Sequence, residues 1–225
     1  MNISIFEVIG PVMIGPSSSH TAGAARLANA ARLIAGDSFS KVRFGLHGSF
    51  AKTYKGHGTD KALVAGVLGI KEDDERLSAS FELAKEKGLS FEFYSEEIGD
   101  AHENTVKISF YSDCGEICEI IGSSIGGGQI LISRLNGMDI EFTAQLPTLL
   151  IFHEDKKGIV SNISHVMAEH DINIATMKLN RKSKGDTAYY VIEADDFISD
   201  EVVKRIVGIA GVLRAQAINL KPTEA

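Results

Sequence analysis

The clearest folding signal in this chain follows Leu146-Pro147-Thr148, where extended and helical patterns alternate in the order βαββαβ. Apolar residues recur with helical spacing in two segments, and alternating or β-branched runs typical of strands lie around them. Two amphipathic helices can cover one face of a four-stranded antiparallel sheet, so this order predicts a ferredoxin-like fold. The predicted strands span residues 148–153, 172–180, 188–193 and 212–219, and the predicted helices span 159–169 and 200–209.

The proline in this stretch also marks a domain boundary, because proline disfavours a continuous central strand. We predict one domain over residues 1–145 and a second over residues 148–225. Helical and extended patterns are mixed in the first domain, which indicates an α+β or mixed α/β fold. Its predicted helices span residues 21–35, 59–68 and 74–87, and its predicted strands span 41–50, 91–94, 106–111, 116–124 and 129–135.

Composition excludes several functions. The 225 residues are 44% hydrophobic, which is enough for folded cores, and the formal net charge is −7 without a basic stripe, so nucleic acid is a poor candidate partner. No apolar run approaches the roughly 20 residues that span a bilayer, and the first residues lack the pattern of a signal peptide. We therefore expect a cytoplasmic protein that does not enter a membrane.

Three consecutive serines and a histidine precede the first predicted helix, in the sequence Gly15-Pro16-Ser17-Ser18-Ser19-His20-Thr21. Unpaired backbone N–H groups and the helix dipole attract a carboxylate or phosphate to a helix N-terminus, and serine hydroxyls can complete the binding site. His20 would then lie beside a small anionic ligand. The alternative is a capped helix whose serines are only turn residues.

A second histidine, His57, lies between Gly56 and Gly58, which permit tight backbone conformations. We expect Thr59 or Asp60 to cap the following helix. A helix N-terminus disfavours imidazolium, so His57 can accept a proton near neutral pH. The alternative is a histidine that only hydrogen-bonds a turn.

Three other features carry weaker signals. His47 falls in a predicted strand, where a hydrogen-bonded core histidine is expected rather than a catalytic one. Cys114 and Cys118 cannot supply a cluster site, and four residues along a strand would separate them by about 13 Å, so we expect a structural role and no metal ligated by this chain. Gly126-Gly127-Gly128 is expected to form a flexible hairpin, with an anion-binding nest as the alternative.

The motif Gly15-Pro16-Ser17-Ser18-Ser19-His20-Thr21, taken with His47-Gly48-Ser49 and Gly56-His57-Gly58-Thr59-Asp60, strongly resembles the β subunit of iron–sulfur-dependent L-serine dehydratases. The resemblance covers both predicted domains. It implies that the first domain is similar to the allosteric substrate-binding domain of some phosphoglycerate dehydrogenases. The second domain resembles an ACT domain, a regulatory module that often binds amino acids.

The resemblance implies conversion of L-serine to pyruvate and ammonia with a four-iron, four-sulfur cluster held by cysteines of a partner α chain. An open iron would act on the serine hydroxyl while a base removes the α-proton. We expect His57 to be the base or proton shuttle and His20 to orient the substrate or close the interface. The hydroxyls expected to bind the substrate carboxylate belong to Ser17, Ser18, Ser19 and Thr21.

In the second domain, the segment from His153 to Val160 matches the strand-to-helix loop where ACT domains commonly hold an effector. The exposed amides of the first helical turn could receive an amino-acid carboxylate, and a second copy of the chain normally completes the pocket. The candidate effector residues are Asp155, Lys157, Gly158, Ile159 and Asn173.

The loop departs from the pattern of its relatives at two positions. Serine-sensing relatives often have Asn where this chain has Asp155, and many ACT loops have Pro where Lys157 stands. Asp155 would suit an ammonium group or a monovalent cation, and the alternative is a module used only for dimerisation. A stand-alone amino-acid sensor without catalysis is the alternative to an enzyme subunit.

Overall fold

The computed structural model describes residues 13–181 and 183–220. The chain divides into two compact units, of which the first ends at Thr143 and the second begins at Ala144. Each unit has its own β-sheet.

The first unit contains a six-stranded mixed sheet in the order β2-β1-β3-β4-β5-β6. β1 pairs in parallel with β2, and every other pair in this sheet is antiparallel. The strands are β1 (Lys41–Leu46), β2 (Ser90–Ser95), β3 (Thr105–Ser112), β4 (Gly115–Gly126), β5 (Gln129–Leu135) and β6 (Met138–Phe142). The α-helices are α1 (Gly23–Ala35), α2 (Gly48–Thr53), α3 (Thr59–Val67) and α4 (Ser80–Glu86).

Small residues let α1 approach both α3 and the sheet. A Cβ atom at Gly66 of α3 would lie 2.2 Å from the carbonyl oxygen of Ala25, and one at Gly122 of β4 would lie 2.6 Å from Leu27 Cδ1. Such distances are shorter than van der Waals contact, so only glycine fits at these two positions without a shift of its neighbours. The alanine-rich helix is therefore held closely between α3 and β4, and its N-terminal turn is placed beside the start of α3.

Two predictions for the first unit are wrong in detail. The strand predicted to reach residue 50 ends at Leu46, and α2 follows because Gly48 adopts a positive φ of 56° and the N–H of Ser49 donates to the carbonyl oxygen of Glu103 at 2.7 Å. The helix predicted over 74–87 divides into a 3₁₀ turn (Glu75–Ala79) and α4.

The sequence analysis also missed strand β6. Asn136 and Gly137 both have positive φ, 50° and 75°, and they form the tight turn between β5 and β6. Asn-Gly is a strong signal for such a hairpin turn, so the sequence contained the information. The hairpin expected at Gly126-Gly127-Gly128 is present between β4 and β5, and all three glycines have positive φ.

The second unit confirms the ferredoxin-like prediction. Its antiparallel sheet has the strand order β10-β7-β9-β8, and both helices pack into one apolar core with residues of the sheet. The strands are β7 (Thr148–Glu154), β8 (Ile174–Arg181), β9 (Thr187–Ala194) and β10 (Val212–Ile218), and the helices are α5 (Ile159–Glu169) and α6 (Asp200–Val207). No helix in the described part of the chain is long and apolar enough to cross a membrane.

Candidate active site and effector loop

The serine–histidine motif forms one π-helical turn that leads into α1. Ser17 precedes this turn, and its hydroxyl oxygen accepts a hydrogen bond from the N–H of His20 at 3.1 Å. The turn spans Ser18–Ala22, and the N–H of Gly23 donates to the carbonyl oxygen of Ser18, five residues earlier. Single π-helical turns are rare and occur frequently at functional sites. The motif therefore has an unusual local geometry in addition to its polar composition.

His20 contacts side chains from two later segments. Its Nε2 atom lies 3.0 Å from the hydroxyl oxygen of Ser49 in α2. The His20 ring meets the Phe50 ring edge to face at 5.4 Å between centroids, and the His57 ring lies 4.7 Å away at an interplanar angle of 45°. The fold thus brings together the two histidines that the sequence analysis proposed as catalytic.

The surroundings of His20 favour its neutral form. Burial lowers the pKa of His20 below its usual range, and the nearby His57 lowers it further, because a charged neighbour of the same sign disfavours the imidazolium. A neutral imidazole carries one N–H donor and one acceptor nitrogen. His20 is therefore equipped at neutral pH to donate one hydrogen bond and accept another.

The main chain holds His57 in place from two sides. Its N–H donates to the carbonyl oxygen of Thr53 at 3.2 Å, and its own carbonyl oxygen accepts from the Thr21 hydroxyl at 3.0 Å. The next residue, Gly58, has left-handed backbone angles and immediately precedes α3. The Nδ1 atom of His57 is buried and has no hydrogen-bond partner among the described residues.

The predicted substrate residues have different environments. The Ser17 hydroxyl caps the π-helical turn, and the Ser18 and Ser19 side chains are half-buried. Thr21 is 1% exposed, and its hydroxyl is bonded to His57 rather than turned toward an open surface. The hydrogen of the Thr21 hydroxyl is therefore already donated within the chain, and the substrate role of this residue stays a prediction.

The start of α3 differs from the expected cap. Gly58 occupies the capping position without a side-chain hydrogen bond, so neither Thr59 nor Asp60 caps the helix. Asp60 instead accepts from the N–H of Lys61 at 2.8 Å. Burial raises the pKa of the Asp60 carboxyl, and this hydrogen bond opposes the shift.

The sequence analysis did not predict the contact of Ser49 with His20, and it placed His47 in a strand. His47 precedes α2 instead of lying within a strand, and its Nδ1 accepts from the N–H of Ile98 at 3.1 Å. Ser49 belonged to the quoted His47-Gly48-Ser49 motif, but a continued strand would not have predicted its contact with His20. The signal for this contact was the motif itself, and its geometry depends on α2.

The donor set of this chain does not fit an iron–sulfur cluster. Cys114 is exposed in the turn before β4, whereas Cys118 is buried within that strand. Among residues 13–181 and 183–220, no three His, Cys, Asp or Glu side chains are grouped so that they could hold a metal ion. A cluster is normally held by three or four cysteine thiolates, and this chain has two cysteines.

The predicted effector loop connects β7 to α5 in the second unit. Gly158 has a φ of 89° and precedes the helix, Lys157 is exposed, and the Ile159 side chain is buried in the core. Asp155 is already engaged, because its Oδ2 accepts from the N–H of Gly185 at 3.0 Å and from Arg181 at 2.9 Å. These two hydrogen bonds lower the pKa of the Asp155 carboxyl.

Asn173 does not lie across from this loop within one chain. It immediately precedes β8, whose first residue pairs with Ala194, whereas the loop follows Glu154, which pairs with Thr187 at the other end of β9. The length of β9 separates the two positions by about 20 Å. The side-chain amide of Asn173 donates to Asp195 at 2.6 Å. A single copy of the unit therefore does not assemble all five predicted effector residues.

A ferredoxin-like unit preceded by a mixed α/β unit with paired histidines defines a two-unit protein with an ACT module. Residues 147–211 match the family model of the ACT domain, and residues 4–134 match the family model described as serine dehydratase beta chain. The second match covers more than half of the chain, and the chain belongs to the serine dehydratase beta chain family.

Three curated relatives illustrate these similarities. The L-serine dehydratase beta chain of Peptoniphilus asaccharolyticus is 41% identical over 218 residues, which cover 96% of this chain and 98% of that protein. The probable L-serine dehydratase beta chain of Bacillus subtilis (strain 168) is 40% identical over 96% of this chain and 97% of its own length. A D-3-phosphoglycerate dehydrogenase of the same strain is 26% identical over 71% of this chain but only 30% of its own length.

Proposed function

We propose that this chain is the β chain of a two-chain L-serine dehydratase, which deaminates L-serine to pyruvate and ammonia. The family membership and the near-complete coverage of two relatives named as beta chains support this proposal. The single observation that carries a catalytic contribution is the pairing of His20 and His57 at 4.7 Å. Imidazoles are common general acids and bases because their pKa values lie near neutral pH.

In this proposal the residues of the first unit handle the proton and the substrate carboxylate. His57 accepts the α-proton: hydrogen bonds to Thr53 and Thr21 fix its backbone, and its ring lies beside that of His20. His20 orients the substrate as a neutral hydrogen-bonding group. The hydroxyls of Ser18 and Ser19 bind the carboxylate, and Ser17 keeps the turn in shape through its bond to the His20 N–H.

The four-iron, four-sulfur cluster in this proposal is held by cysteines of an α chain. Cys114 and Cys118 differ in burial, and the described residues offer no grouped ligand set, so this chain needs a partner that supplies the metal site. An enzyme assembled in this way belongs in the cytoplasm, where thiols stay reduced. The two histidines would then lie at the interface with the α chain.

For the second unit we propose self-association and effector binding. β8 and β10 are the edges of the four-stranded sheet, and pairing of ACT sheets side by side would join two copies. An effector site would combine the loop from Asp155 to Ile159 of one copy with Asn173 of the other. Because Asp155 is bonded to Arg181 and Gly185, binding of an ammonium group or a monovalent cation must compete with those contacts.

Anaerobic co-expression with the candidate α chain tests the enzymatic proposal. We expect pyruvate formation from L-serine only in the iron-containing complex, and none from either chain alone. His57→Gln should lower kcat by about 100-fold or more, whereas Ser78→Ala, an exposed serine of the 3₁₀ turn, should leave it unchanged. Failure to associate with a partner whose cluster is intact, together with tight amino-acid binding by this chain alone, would favour a stand-alone sensor.

Sedimentation and calorimetry test the two proposals for the second unit. We expect a dimer of this chain in sedimentation experiments, and a monomer at all working concentrations would exclude self-association. Titration with L-serine and, separately, with potassium chloride distinguishes an amino acid from a cation as the effector. If neither L-serine nor potassium chloride releases heat on titration, dimerisation remains as the function of the module.

A further inference from the structure

The contact between Ser49 and His20 is held by backbone geometry on both sides. Ser49 lies in the first turn of α2, where its N–H donates to the carbonyl oxygen of Glu103 at 2.7 Å. A Cβ atom at Gly48 would lie 2.6 Å from that same oxygen, so a larger residue would displace the turn. On the other side, Ser17 fixes the backbone N–H of His20. These constraints place the two backbones so that Ser49 Oγ and His20 Nε2 meet at 3.0 Å.

The direction of this hydrogen bond determines which nitrogen of His20 carries the proton. A serine hydroxyl has one hydrogen to donate, and a neutral imidazole has one acceptor nitrogen. In the structure, the Ser49 hydroxyl contacts the Nε2 atom of His20. Donation from Ser49 to Nε2 satisfies the hydroxyl hydrogen, whereas donation from Nε2 to Ser49 would leave that hydrogen, at a half-buried position, without a partner among the described residues.

We propose that Ser49 is a positioning residue that donates to Nε2 of His20 and thereby fixes the tautomer with its proton on Nδ1. His20 then presents an N–H donor and has no free lone pair. For the reaction this means that His20 orients a substrate oxygen, and His57 is the member of the pair that takes up a proton. The consequence for the reaction rests on the proposed function, whereas the tautomer is a property of this chain alone.

Histidine nitrogen NMR tests the tautomer without any activity measurement. The full chain is labelled with ¹⁵N-histidine, and the His20 signals are assigned with a His20→Gln variant. We expect a pyridine-like Nε2 and a pyrrole-like Nδ1 at neutral pH in the wild type. Ser49→Ala should give a mixture of the two tautomers, Ser49→Thr should retain the wild-type pattern, and Ser78→Ala serves as a matched control at an exposed serine. A pyrrole-like Nε2 in the wild type, or an unchanged pattern in Ser49→Ala, would overturn the proposal.

Kinetics of the two-chain complex test the consequence for the reaction. We expect Ser49→Ala to lower kcat by about 10- to 100-fold with KM changed by less than about twofold, because a misoriented group reduces the rate more than it reduces binding. Ser49→Thr should restore most of the rate. An inactive wild-type complex would refute the proposed function and leave the NMR result standing. If the wild-type complex is active and Ser49→Ala has the same kcat, only the positioning role of Ser49 is refuted.

Discussion

The hydroxyl of Thr21 donates a hydrogen bond to the carbonyl oxygen of His57 at 3.0 Å, and so joins the π-helical turn to the loop that precedes α3. The two residues are 36 positions apart in the chain, and Thr21 is almost completely buried. This bond is one reason why the His20 and His57 rings lie side by side. Thr21, which the sequence analysis expected to bind substrate, contacts His57 in the folded chain.

Replacement of Thr21 by valine should therefore weaken both stability and catalysis. Valine keeps the shape of threonine but leaves a main-chain oxygen without its donor, which costs about 1–3 kcal/mol when the group is buried. We expect the free energy of unfolding in urea to fall by that amount and kcat of the complex to fall as His57 shifts. Thr21→Ser, which keeps the hydroxyl, should recover most of both losses. Equal stability of Thr21→Val and the wild type would show that the bond contributes nothing.

The two glycines that flank His57 should respond differently to alanine. Gly58 has a φ of 68°, and no atom lies within 4 Å of a Cβ built there, so Gly58→Ala introduces backbone strain of roughly 1–2 kcal/mol without a steric clash. Gly56 lacks a positive φ, and its nearest neighbour, the Thr53 carbonyl oxygen, is 3.7 Å from the added Cβ. We expect Gly56→Ala to melt close to the wild type and Gly58→Ala to melt several degrees lower. The reverse order would contradict the backbone geometry of this loop.

The lowered pKa of His20 predicts an effect of pH on stability. Because burial and His57 hold the folded-state pKa below the usual value near 6.5, the unfolded chain binds a proton more readily than the folded chain. Stability should therefore fall as the pH drops below about 6.5, and this loss should level off below the folded-state pKa. Urea unfolding at about pH 7.5 and about pH 5 measures the difference, and His20→Gln should show a smaller loss than the wild type. An identical loss in the variant would mean that His20 titrates normally.

The second unit could be predicted closely because its elements follow local periodicity. The helix at Ile159–Glu169 agrees with the prediction at both ends, and its apolar face packs into the core as its spacing indicated. The residues between 47 and 53 could not be assigned in the same way. Their helix depends on hydrogen bonds to Glu103, more than fifty positions away, and short helices of this kind are formed by tertiary contacts rather than by propensity.

The candidate site shows the same division between local and long-range information. His20 and His57 could be selected as candidate site residues from the sequence, because a turn alone does not require a histidine next to several serines or between two glycines. The contact between His20 and Ser49 could not be predicted from the sequence, because it requires the helix α2 where the sequence indicated a continued strand. Asn173 illustrates a further limit, since its separation from the loop depends on how β8 and β7 pair with β9, which the order of elements along the chain does not give.

Asp155 contacts the hairpin that connects β8 to β9. Its carboxylate accepts from the N–H of Gly185 and from Arg181, and both bonds favour the charged form and lower its pKa. Asp155→Ala should therefore speed amide hydrogen exchange at Gly185 several-fold at neutral pH, while amides of α5 remain protected. In the wild type the same protection should persist above the ordinary aspartate pKa and disappear as the pH falls through the lowered value, because protonation removes the charged acceptor. Lys157→Ala, in the same loop but exposed, is the control. Unchanged exchange at Gly185 in Asp155→Ala would mean that the carboxylate is free to receive an effector.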